Sequence, residues 1–166
     1  MIRNDASSDL QYLADRAAIQ DVLVRYFHGL DRCNREQVRS CFTDDVHVHY
    51  DERPPVSGIE AVMAHFRTFG RMEKGQMKAT THFMGNVNVN YVRGDVAETE
   101  MYAIAFLVEP TDMVAMRSLR YIDRFRRDEN GWRISDRVHT LDWACQMPAN
   151  YAVTLAQRVS ALPDRS

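Results

Sequence analysis

The chain has little cysteine, little glycine and no excess of either charge. Its three cysteines, Cys33, Cys41 and Cys145, are scattered. An odd count without close pairing argues against a disulfide framework, and the CxxC spacing of thiol-redox and zinc sites is absent. All three are read as reduced thiols of a cytoplasmic protein. The seven glycines form no phosphate-cradling loop, nucleophile elbow or dinucleotide fingerprint. No apolar run reaches the ~20 residues that span a bilayer. The stretch Met1 to Asp9 is polar and has no signal-peptide core, so a soluble, unexported protein without a membrane partner is expected. The formal net charge is −2, and nothing draws the chain to nucleic acid. Arginines gather between Arg117 and Arg137, but Asp123, Asp128, Glu129 and Asp136 alternate with them, as on a solvated, ion-paired face.

What is present suits one globular domain over 1–166, with a core at about 9–145 and a tail at 146–166. Apolar residues make up 45% of the chain and charged residues 27%, an ordinary balance for a buried core. Ile19, Val22, Leu23, Tyr26, Phe27 and Leu30 recur at helical spacing and predict a helix from about Asp9 to Asp31. Ser8 and Gln11 could form its capping box. Asn34 can cap a short second helix with Val38, Cys41 and Phe42 inward, and Asp44-Asp45 should break the chain. Val46 to Tyr50 alternates like a strand, with His47 and His49 on the opposite face from Val46, Val48 and Tyr50. Ser57 and Glu60 suggest a capping box for a helix with Ile59, Val62, Met63, Phe66 and Phe69 on its core side, stopped at Gly70.

The second half reads as strands. Thr80 to Tyr91 and Val96 to Val108 flank a turn at Arg93-Gly94. Ser118 to Arg126 and Trp132 to Trp143 flank Asp128-Glu129-Asn130-Gly131, and Asn-Gly is a strong hairpin signal. A short helix is expected after Pro148. Segregated helices and antiparallel strands indicate an α+β fold. Before Gly85, His82 and Met84 share a face; after it, Val87, Val89 and Tyr91 have the opposite parity. A bulge at Gly85-Asn86 would bring both sets to one side. Leu119, Tyr121, Phe125, Leu141 and Trp143 offer apolar area for a homo-oligomer, a trimer or dimer joined through the outer sheet face.

Several segments together resemble the SnoaL-like proteins of the nuclear transport factor 2-like superfamily. They are Arg25-Tyr26-Phe27-His28-Gly29-Leu30-Asp31, Phe42-Thr43-Asp44-Asp45-Val46, Ser57-Gly58, Thr81-His82-Phe83, Arg120-Tyr121-Ile122-Asp123 and Trp132-Arg133-Ile134-Ser135-Asp136-Arg137. The resemblance covers roughly Leu10 to Trp143 and implies a cone-shaped α+β barrel, a strongly curved sheet wrapped around N-terminal helices with an internal pocket. Relatives include scytalone dehydratase, bile-acid 7α-dehydratase, a hexachlorocyclohexane dehydrochlorinase, polyketide cyclases and ketosteroid isomerase. The resemblance implies a cofactor-free lyase or isomerase on a hydrophobic polycyclic, steroid-like or aromatic substrate bearing a carbonyl, with Tyr26, Asp31 and His82 as the catalytic group. The strand Tyr102-Ala103-Ile104-Ala105-Phe106 departs from relatives that carry a carboxylate there, and no second pocket histidine is assigned.

The chemistry fits these residue types. An imidazole is poised to remove a proton beside a carbonyl near neutral pH, and a carboxylate on one ring nitrogen fixes its tautomer. Tyr26 or Tyr50 could donate to the carbonyl. The alternatives are a helix-end ion pair for Asp31 and a satisfied core histidine for His82. Tyr26 and Asp31 lie about 140° apart on an ideal helix, so they converge only by fraying near Gly29 or by reaching the pocket at different depths. Tyr50, Phe27, Met84, Phe66, Tyr121, Arg137 and Trp143 are the expected substrate contacts. His47 and His49 lack a clear third ligand, and no metal or cofactor is expected. The rival functions are a non-catalytic small-molecule-binding protein and a structural subunit like a ring-hydroxylating dioxygenase β-subunit.

Overall fold

A computed structural model describes residues 6–150. Helix α1 spans Ala6–Asp31, so Ser8 lies inside it and does not cap it. The predicted stripe is its buried face: Ile19, Val22, Leu23, Tyr26, Phe27 and Leu30 are all at most 4% exposed. The helix ends in a Schellman motif without glycine. Cys33 adopts the left-handed conformation (φ 53°), and the amides of Cys33 and Asn34 return to the carbonyls of Leu30 and Gly29. Asn34 then caps α2 (Arg35–Arg39), its side chain accepting from the Gln37 amide. Gly29 allows this reversal, since a Cβ there would lie 2.7 Å from Val38 Cγ2.

Strand β1 (Phe42–Tyr50) begins earlier than expected. Asp44 and Asp45 do not break it; they sit exposed where its register against β6 shifts between Phe42 and His47. After β2 (Val56–Ser57) the expected single helix is two, α3 (Ile59–His65) and α4 (Arg67–Glu73). The Ser57–Glu60 capping box does not form: Gly58, at φ +83°, holds the N-cap position, and Glu60 pairs with Arg39. Phe66 interrupts the helices with extended backbone (φ −71°, ψ 97°), and its ring packs near Tyr26, Phe42, Tyr50 and Phe69. Aromatic packing overrides an apolar period that continues unbroken in the sequence. Gly70 lies within α4 and does not stop it.

The remaining strands are β3 (Ala79–Arg93), β4 (Val96–Val108), β5 (Met113–Asp128) and β6 (Gly131–Pro148). They complete a curved, unclosed six-stranded sheet in the order β2-β1-β6-β5-β4-β3. All neighbouring pairs are antiparallel except β1 with β6. The Asn-Gly turn between β5 and β6 is present, with Gly131 at φ +88°. A helix after Pro148 would fall outside the described residues. Among the described residues, no helix is long and apolar enough to cross a membrane.

The bulge at Gly85-Asn86 forms: Met84 faces Ala103 and Val87 faces Met101, leaving two residues opposite Tyr102. His82, Met84, Val87 and Val89 therefore share the inner side. Tyr91 does not join them. A second shift between Val89 and Tyr91 places Tyr91 opposite Glu98, and Val92 takes the inner position facing buried Ala97. The interface expectation also changes. Leu119, Tyr121 and Phe125 are core residues at 4%, 2% and 0% exposure, unavailable to another chain. Leu141 turns inward opposite Leu119, and Trp143 faces outward opposite Ser118.

Helix α1 is tied to the sheet at its C-terminal end and again in its N-terminal half. Asp15 accepts from Trp132 Nε1 (3.0 Å) and Arg127 Nη1 (2.5 Å), and Asp31 bonds to β3. The two carboxylates are separated by roughly 24 Å of helix. The Gly85 bulge is equally constrained, because a Cβ there would stand 3.0 Å from the Tyr102 carbonyl oxygen. Gly85→Val should lower unfolding free energy by about 1–3 kcal/mol in denaturant titration. Unchanged stability would contradict the assigned close approach.

Candidate active site

Asp31, the last residue of α1, meets the start of β3 through three hydrogen bonds. Its Oδ1 accepts from Thr80 Oγ1 at 2.7 Å and lies 2.6 Å from His82 Nδ1; its Oδ2 accepts from the His82 amide at 2.9 Å. A carboxylate only accepts, so Nδ1 carries a hydrogen, and in the neutral ring Nε2 is then the acceptor. Burial works to raise the Asp31 carboxyl, but the side-chain bond and charge of His82, its amide and Thr80 together hold it below the ordinary value. The imidazole stacks on Phe27 with centroids 5.2 Å apart. The helix does not fray at Gly29. Tyr26 lines the cavity while Asp31 stands behind His82, so the two approach at different depths.

His82 opens onto a cavity of about 990 Å³. Tyr26, Tyr50, Phe66, Tyr121, Leu30, Leu119 and Ala105 form much of its wall. The Tyr26 and Tyr50 hydroxyls are 3.5 Å apart. Burial pushes the phenols of Tyr26, Tyr50 and Tyr121 above their ordinary value, so they remain protonated donors at neutral pH. Arg137 does not line the cavity. It is fully buried, clamped by Asp123 through two 2.7 Å bonds, and its guanidinium lies 4.2 Å from the Tyr26 ring centroid and 4.7 Å from that of Tyr121. Phe27 also stays behind the wall. Met84 lines a separate pocket of about 200 Å³ beside Ile19, and Trp143 is on the outer face.

Two histidines missed in the sequence also line the cavity. His139 on β6 lies 3.0 Å through Nδ1 from Asp51 Oδ1, and its ring sits 4.7 Å from Tyr121. Asp51 is left-handed at φ 53°, a conformation non-glycine residues seldom adopt. His65 stacks on Tyr50, and its buried Nε2 has no hydrogen-bond partner among the described residues. Period-two spacing from Arg137 was the signal for His139, but nothing local marked Asp51 as its partner.

The model of the SnoaL-like domain matches residues 11–138. The chain belongs to the SnoaL-like family. A family relative, an uncharacterised protein of Mycobacterium tuberculosis, is 29% identical over 130 residues, covering 77% of this chain and 86% of the relative. The fold is shared with the hexachlorocyclohexane dehydrochlorinase LinA-type3 of Novosphingobium barchaimii, at TM-score 0.73 and 18% identity over 87% of this chain and 98% of the other. A candidate scytalone dehydratase of Novosphingobium aromaticivorans gives TM-score 0.72 and 17% identity over 86% and 93%. At such identities the likeness is one of SnoaL-like fold.

Burial depresses His139 from 6.5 to about 4; Arg137 and Arg53 act in the same direction, against the charge and hydrogen bond of Asp51. Between those values the unfolded chain binds a proton that the folded site refuses. The resulting stability is complete above the ordinary histidine pKa and is lost as pH falls toward the folded value. Thermal unfolding of His139→Gln should therefore depend less on pH across this window than the parent does. Equal slopes would show that His139 is not held neutral.

Proposed function

We propose that this SnoaL-like protein is a cofactor-independent lyase or isomerase acting on a hydrophobic polycyclic, steroid-like or aromatic ring that bears a carbonyl. The observation carrying this reading is the oriented imidazole: His82 lines an aromatic-walled cavity open to solvent, and Asp31 lies 2.6 Å from its Nδ1, which leaves Nε2 for a substrate. The names of the structural neighbours, a dehydrochlorinase and a candidate dehydratase, support the same class of elimination.

In this mechanism, His82 Nε2 takes a proton from the carbon beside the carbonyl. The electron pair of the broken C–H bond moves into an enolate, and Tyr26 or Tyr50 donates a hydrogen bond to its oxygen. Asp31 stabilises the imidazolium. Elimination follows when the enolate pair forms the C=C bond and the leaving hydroxyl departs as water with the proton from His82. Isomerisation follows when that proton returns to a different carbon. Tyr26 and Tyr50 suit the donor role because both stay protonated.

Exchange of the α-hydrogens of cyclic ketones in D₂O, followed by NMR, tests the proton-transfer step without knowledge of the leaving group. The parent should accelerate exchange on at least one ring ketone that it binds. His82→Ala should lose about 10²–10⁴-fold in rate with ketone affinity preserved. Asp31→Asn should also cripple exchange by misorienting the imidazole. Undiminished exchange in both variants would make the pair structural and the cavity a binding site only.

A further inference from the structure

We infer that the cavity takes a ligand carrying an anionic group, a carboxylate or phosphate, and that Arg117 is its anchor. This rests on the reading of the cavity as a site for a ring ligand and adds a charge to that ligand. Arg117 differs from its neighbours in sequence. Among the described residues, every other arginine of β5 and β6 has an acidic partner: Arg120 with Glu100 and Asp142, Arg124 with Glu98, Arg126 with Asp45, Arg127 with Asp15 and Asp95, Arg133 with Asp128, and Arg137 with Asp123. Arg117 has none and lines the cavity.

Its register explains why. Arg117 faces Ala105 on β4 and Ala144 on β6, and Ala105 in turn faces His82 on β3. His82, Ala105 and Arg117 thus form one row across the inner face. Two strand spacings put the backbones of His82 and Arg117 roughly 10 Å apart. The small alanine between them leaves room for a ring, with the imidazole on one side and the guanidinium on the other.

Other lining residues add charge of the same sign. Arg67 and Arg71 of α4 and Arg53 after β1 also line the cavity; Arg67 has no acidic partner among the described residues, and Arg71 pairs with Glu109 at 4.0 Å. The acidic lining residues are Asp51, bonded to His139, and Glu52. Four arginines thus face two carboxylates around one cavity, in a chain whose net charge is −2. The field is felt inside: after burial, Arg53 and Arg67 are the causes that lower His65. Arginine suits this role because its fork matches carboxylate and phosphate oxygens in two parallel bonds.

Calorimetric titration of the whole chain with naphthol, naphthoate and naphthyl phosphate compares one ring with and without an anion. At low salt an anionic ligand should bind at least about tenfold more tightly than naphthol. A preference confined to naphthoate assigns the site to a carboxylate; one confined to naphthyl phosphate assigns it to a phosphate. Arg117→Gln should abolish the preference while leaving naphthol affinity unchanged, and Arg67→Gln should reduce it. Equal affinity for all three ligands, or a preference untouched by Arg117→Gln, would overturn the anion subsite alone. Failure of all three to bind would overturn the ring-ligand reading as well.

Discussion

The Asp31 carboxylate joins the helical and sheet halves of the site. It is the last residue of α1, where the helix dipole disfavours another negative charge. Three donors from β3 compensate: a hydroxyl, an amide and an imidazole. These bonds set how the end of α1 meets the sheet, and they also set which nitrogen of His82 faces the cavity. Docking of the helix and orientation of the imidazole therefore come from one group. Asp15 makes a comparable attachment toward the other end of α1, so the apolar stripe between them is laid along the sheet without freedom to roll.

The wall of the cavity depends on a second buried charge. Arg137 and Asp123 are removed from water together, a costly arrangement unless every bond is well made. The guanidinium is clamped on one side and covered by the Tyr26, Tyr121 and Phe42 rings on the others. Cation–π contact offsets part of the desolvation cost and orders the aromatic wall. The tyrosines are thereby set as neutral donors beside two histidines, and the sheet opens toward arginines at Arg117 and along α4. Apolar area, neutral hydrogen-bond donors and exposed cations occupy different parts of one concave surface.

Much of the fold could be read from residue spacing. Six apolar residues at helical spacing announced α1, and the parity change across Gly85 announced the bulge that turns His82 inward. The bulge at Asn90 carries no glycine and no break in pattern, so alternation alone puts Tyr91 on the wrong face. Phe66 interrupts a helical period that shows no interruption in sequence, because the cause is packing against aromatic rings distant along the chain. The pairing of Asp31 with His82 entered through family resemblance. His139 and Asp51 stand 88 residues apart and meet only through strand register and a left-handed backbone at an aspartate. Arg117 was hidden by its own surroundings: in a run of alternating charges it looks paired, and only the register shows that it faces inward.

The central claim is that Asp31 holds His82 as the Nδ1–H tautomer, with Nε2 free to accept a proton in the cavity. The direct measurement is ¹⁵N NMR of the histidine rings in the parent protein at neutral pH, with the His82 signals assigned by their loss in His82→Ala. The account predicts a protonated Nδ1 and an unprotonated Nε2 for His82, with that preference lost in Asp31→Asn. A His82 ring protonated at Nε2 alone, or one whose tautomer is indifferent to Asp31→Asn, would contradict it.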